Sequence, residues 1–192
     1  MDLRKALSLI AFGFLFLLVN LNLTFNEATL CLTPDFIGWL LLLLAAAPLG
    51  SYGEGKGYLK WLPALMLVVS AADWGLEVLR PELRGGSFDL ILTLGNLVTA
   101  VYLFLLITVL EQVARDCGSP REQTLRTLKY CSVGLELATL LLGWLTTATE
   151  SGLLAALVLG LLVAALVISI SLAVALFRLR KDAASRAAED LT

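Results

Sequence analysis

Asp73 and Glu77 are two carboxylates set four residues apart inside an apolar run. On a helix that spacing puts both on one face, about a turn from each other. An ionisable group within such a run is costly in lipid, so it faces other helices or water and is functional by default. Asn20, Asn22, Asp35 and Asn96 supply further polarity from neighbouring runs. Together they predict an outward-facing acidic and amide pocket that attracts a cation or a cationic solute. The simpler alternative is an interfacial ladder. There Glu77 pairs with Arg80, Asp73 reaches headgroups or an Asn, and nothing is bound.

Glu136 lies deeper, with Lys129 seven residues back on the same helical face. A carboxylate at that depth without a cation suits proton coupling, because low dielectric penalises its charge. A static network with Lys129, or with Glu111 and Arg115, is the competing reading. Asp35 and Asp89 each follow a hydroxyl residue at an expected helix start, where capping explains a carboxylate without any ligand. Paired with Asp73, either would resemble an intramembrane aspartic peptidase, but each has a simpler explanation, so no enzyme is expected.

These residues need a frame, and the frame is apolar. Of 192 residues, 59% are hydrophobic and 16% charged, with a mean hydropathy of +0.88. A water-soluble domain of this length cannot hide so much apolar surface, so the lipid bilayer is the expected solvent. The absence of histidine removes imidazole-based metal and nucleophile chemistry, and no phosphate loop or paired-cysteine motif is present. Neither metal nor cofactor is expected. A net charge of −2 without a basic stripe argues against nucleic acid.

Six apolar stretches, about 6–23, 36–49, 61–79, 88–110, 130–147 and 152–177, predict an all-α bundle of six transmembrane helices forming one domain. They pair naturally as three outward-facing hairpins, followed by a short cytoplasmic tail over 178–192. Threaded alternately, they put twelve of fourteen Lys and Arg on one side and only Arg80 and Arg84 on the other. The positive-inside rule then places both termini in the cytoplasm of a multi-pass cell-membrane protein. Thr33-Pro34-Asp35 reads as a hydroxyl cap with proline at the first helical position, and Ser119-Pro120-Arg121-Glu122 as a capping box. Gly118 reads as a helix stop.

Gly152, Ala156, Gly160 and Ala164 form a small-xxx-small face on the last stretch. Such a face serves intramolecular packing or a homo-oligomer seam. The four Trp residues are expected near the membrane interfaces. Cys31, Cys117 and Cys131 are expected as small buried thiols, since no two share an oxidising compartment.

The segment Pro34-Asp35-Phe36-Ile37-Gly38-Trp39-Leu40 resembles a Pro-Asp-Phe-Ile-Gly-aromatic-Leu stretch of small uncharacterised multi-pass membrane proteins of Gram-positive bacteria. The resemblance covers about a twentieth of the chain and implies a bacterial inner-membrane location; it brings no activity. Two functions follow from the residues themselves. One is a small-solute or cation transporter-like module. The alternative is a non-transporting accessory or scaffold subunit that packs against a larger membrane partner.

Overall fold

The computed structural model describes residues 3–18, 22–25, 28–31, 34–50, 57–79, 87–148 and 152–189. They form six helices and one short hairpin: α1 (Leu3–Leu18), β1 (Asn22–Phe25), β2 (Ala28–Cys31), α2 (Asp35–Leu49), α3 (Tyr58–Leu79), α4 (Ser87–Asp116), α5 (Glu122–Ala148) and α6 (Gly152–Glu189). The fold is helical throughout apart from the antiparallel β1–β2 pair, in register from Asn22 opposite Cys31 to Phe25 opposite Ala28. That hairpin replaces the end of the first expected span. α1 stops at Leu18, and Asn22 and Leu23 are already in a strand, where Asn is a poor helix former. At the other extreme α6 runs unbroken through the expected tail to Glu189.

Among the described residues three helices are long and apolar enough to cross a membrane: 58–76, 93–116 and 156–186. α1 and α2, at 16 and 15 residues, fall short of the roughly 20 that a crossing takes. α5 opens with polar turns carrying Glu122, Arg126 and Lys129. The structure thus has six helices, as expected from the sequence, of which three among the described residues meet the length and composition of a crossing. Large apolar side chains point out of the bundle on α3, α4 and α6, among them Trp61, Val68, Leu97 and Leu159. Such a surface is compatible with lipid.

Each helix packs on its neighbours in the chain, and α6 closes back on α1, so the six form a ring. Contacts across the seams show alternating directions. The Phe12 ring lies 5.9 Å from that of Phe177, and Phe36 lies 5.8 Å from Trp74. Arg4 Nη2 donates to the Ala184 carbonyl at 3.3 Å, bringing the start of α1 to the end of α6. The α1–α2 seam is the tightest. A Cβ added to Gly38 would stand 2.9 Å from the Gly13 carbonyl oxygen, and one added to Gly13 would stand 3.1 Å from that of Gly38. Backbone approach of this kind requires glycine on both sides.

The small-residue face of α6 has a different fate. A Cβ on Gly160 would meet nothing within 4 Å, and Ala156 is exposed. At Gly160 this face points away from the ring, and close backbone approach is made instead at Gly13 and Gly38. Gly152 begins α6, and Ala164 is half-buried.

Helix ends explain how the connections are made. Gly118 adopts φ 60°, its N–H donates to the Arg115 carbonyl at 2.9 Å, and the Ser119 N–H reaches back to Ala114 at 2.8 Å. These two bonds close α4 with the double C-cap that a left-handed glycine permits. The capping box expected next is only half made. The Ser119 hydroxyl accepts from the Arg121 N–H at 3.3 Å, whereas Glu122 turns to Arg115 at 2.5 Å instead of reaching back. Ser119 also donates to Asp182 at 2.5 Å, which ties the α4–α5 connection to α6. Pro34 itself occupies the cap position of α2 and Asp35 the first helical one, with no side-chain cap bond.

One end of the ring is solid. Leu7 and Ile10 of α1, Leu49 of α2, Leu59 of α3, Leu106 and Leu110 of α4, Leu125 of α5 and Leu176 and Leu179 of α6 are fully buried in one cluster. The other end is hollow.

Candidate binding cavity

A cavity of about 340 Å³ occupies the hollow half, and every one of the six helices lines it. Its carboxylates are Asp35 from the first turn of α2, Asp73 from α3 and Glu136 from α5. Ser70, Thr99, Ser132 and Ser169 add hydroxyls, and Asn96 sits exposed at its edge. Phe14, Leu42, Met66, Leu103, Ile168 and Leu172 supply apolar wall. Trp39 and Tyr102, both almost fully buried, lie between it and the leucine cluster, with ring centroids 5.6 Å apart. Among the described residues no Lys or Arg lines it.

The side chains arrive there through helical periodicity. Ser70 and Asp73 are three apart on α3, Asn96 and Thr99 three apart on α4, and Ser132 and Glu136 four apart on α5. Each pair is thus one stripe of one helix turned to the ring's axis. Thr99 satisfies its own hydroxyl by donating to the Gly95 carbonyl at 3.0 Å. Ser132 does not. It is 6% exposed, and among the described residues its Oγ has no hydrogen-bond partner. Asp35 Oδ1 is likewise buried without a hydrogen-bond partner among the described residues. Asp35 and Asp73 interact coulombically, and between two carboxylates in a low-dielectric site a proton or a cation offsets the repulsion.

The sequence-derived candidates divide as follows. The cavity brings together Asp35, Asp73, Asn96 and Glu136. Asn20 lies outside the described residues, as do Arg80 and the side chain of Glu77, so the expected Glu77–Arg80 ladder falls there too. Glu136, expected as a separate titrating group, shares the cavity with Asp73. Its expected partner Lys129 is engaged elsewhere. Lys129 and Glu111 form a buried pair, Arg126 Nε stands 3.4 Å from the same carboxylate, and Arg115 bonds Glu122. The Lys129 ammonium also lies 5.2 Å from the ring centres of Phe104 and Tyr130.

Ser70, Thr99, Ser132, Ser169 and Tyr102 were not singled out from the sequence. Ser70 and Ser132 were detectable as the i−3 and i−4 partners of Asp73 and Glu136. Trp39, expected near an interface, is 3% exposed inside the bundle. The thiols also differ from expectation: Cys131 is exposed and Cys117 half-buried. Among the described residues no three Cys, Asp or Glu side chains converge to hold a metal ion. No protein-family model, curated protein or solved structure matches the chain.

Proposed function

We propose that this chain is an integral membrane protein and a small-solute or cation transporter-like module. In this reading all six helices cross the bilayer and both termini face the cytoplasm. The carrying observation is the cavity itself: acid-lined, walled by all six helices, and closed beneath by a packed leucine cluster. A solute site with solvent on one side and a hydrophobic barrier on the other is one half of an alternating-access cycle.

Positive charge supports the orientation. Arg4, Lys60, Arg115, Arg126 and Arg180 all lie at the solid end or the connections bordering it, where cytoplasmic headgroups would meet them. The test is flux through proteoliposomes, comparing wild type with D73N/E136Q under imposed cation and proton gradients. Wild-type flux that the double variant loses supports transport. Absence of flux in both favours the accessory-subunit reading, for which the outward-facing Gly160 face is the specific observation.

A further inference from the structure

We infer that the cavity takes an organic monocation, a protonated amine or ammonium with an apolar body, in preference to a bare metal ion. The inference rests on the transport reading for its consequence, though the site itself is independent of flux. Three features carry it. Among the described residues the lining holds three carboxylates and no base, so a positive solute is favoured over a neutral or anionic one. Those carboxylates come from three helices and, among the described residues, converge in no metal-holding group. A hard cation wants about six to eight oxygens around a point.

Size and wall chemistry then select the body. At about 340 Å³ the cavity lies at the low end of ligand pockets, which run from roughly 300 to 1,000 Å³. A dehydrated ion would leave most of that volume empty. Trp39 and Tyr102, packed on each other at 5.6 Å, and the half-buried Leu17, Leu103 and Ile168 give that wall an apolar character that suits a hydrocarbon body. Ser132 adds the independent sign of a missing occupant. Its hydroxyl is more than nine-tenths buried, lines the cavity and has no hydrogen-bond partner among the described residues. An ammonium N–H donated to Ser132 Oγ would satisfy it.

Thermal unfolding in detergent, with benzylammonium, benzyl alcohol, sodium and magnesium as probes, tests this. Benzylammonium is expected to raise the melting temperature, and benzyl alcohol, its neutral counterpart, to raise it far less. E136Q should weaken the benzylammonium response about tenfold in concentration while circular dichroism stays unchanged; D35N serves if it misfolds. Equal stabilisation by benzyl alcohol or by magnesium overturns the inference, as does an unaltered response in E136Q and D35N. Binding without flux keeps this site and removes the transport reading. Sodium flux without benzylammonium binding does the reverse.

A separate place on the molecule carries a second proposal. Arg4, Phe177, Arg180, Lys181 and Ala184 line a hollow of about 320 Å³ at the solid end of the α1–α6 seam. Among the described residues its charged lining is basic, and the edge-to-face, partly exposed rings of Phe12 and Phe177 continue the seam toward the bundle's middle. The geometry points to the phosphate of an anionic phospholipid held among the three cations, with an acyl chain along the two rings.

Native mass spectrometry of delipidated protein with phosphatidylglycerol, phosphatidylcholine or inorganic phosphate tests it. Retained phosphatidylglycerol, lost in R180Q/K181Q but kept in the charge-matched K60Q/R178Q, is expected. Equal loss in both variants, equal retention of phosphatidylcholine, or phosphate competing as well as lipid overturns it.

Discussion

Lys129 gives its ammonium to Glu111, and so leaves Glu136, two turns further along the same helix, facing the cavity without a cation among the described residues. Both members of the pair are 7% exposed, and Arg126, 61% exposed, is the only described group in reach of the other Glu111 oxygen. Removing one partner of a buried pair costs about 3–5 kcal/mol because a charge stays behind. K129M should therefore lower stability by about 3 kcal/mol, the lower end, since Arg126 offsets part of the loss. The double variant E111L/K129M should recover most of it. Denaturant unfolding in mixed micelles measures both, and a K129M curve superimposed on wild type would contradict the assignment.

The helices were legible because lipid-facing and buried runs are apolar on every side, whereas their partnerships were not. Gly118 announced the end of α4, since only a left-handed residue closes that turn. Asp73 and Glu136 stood out individually. Their convergence depends on how α3 and α5 rotate within the ring, and no spacing within either helix encodes that. The Lys129–Glu111 pair joins residues 18 apart across a connection, so spacing within α5 alone offered Glu136 as a partner for Lys129 and could not choose between it and Glu111. The strands at 22–25 and 28–31 were hidden for another reason: short apolar runs read equally as helix end or strand.

Gly38 and Gly134 should respond oppositely to alanine. A methyl at Gly38 would stand 2.7 Å from Leu17 Cγ and 2.9 Å from the Gly13 carbonyl oxygen, so α1 must retreat. Overpacking of this kind costs about 1–3 kcal/mol. A methyl at Gly134 would meet nothing within 4 Å, and a mid-helix Gly→Ala change gains up to about 1 kcal/mol. Melting of G38A below and G134A at or above wild type is the expected pattern. A neutral G38A would mean that the α1–α2 seam is looser than its glycines imply.

Cys117, beyond the end of α4, offers a pH readout at the solid end. Burial pushes its thiol above the ordinary value of 9.0, with Arg186 opposing and Asp116 and Asp182 adding to the rise. A raised pKa leaves less thiolate at neutral pH, and thiolate is the reacting form. Maleimide labelling at pH 7 should thus be slower than for the unfolded chain, and should climb to a higher pH before levelling. R186Q should slow it further. The reverse order, folded faster than unfolded, would show that Arg186 outweighs burial.

Ser132 allows stability and binding to be separated. A hydroxyl buried without a partner among the described residues carries a desolvation cost of about 1–3 kcal/mol. S132A deletes that group and leaves only a small gap, so the empty protein should gain about 1 kcal/mol in denaturant unfolding. The same substitution should weaken the benzylammonium response, because the acceptor for the ammonium is gone. A group held at a cost in stability and needed for binding is the signature of a site shaped for its occupant. If S132A is instead less stable than wild type, the hydroxyl already has a partner within the fold, and the cavity loses its best polar anchor.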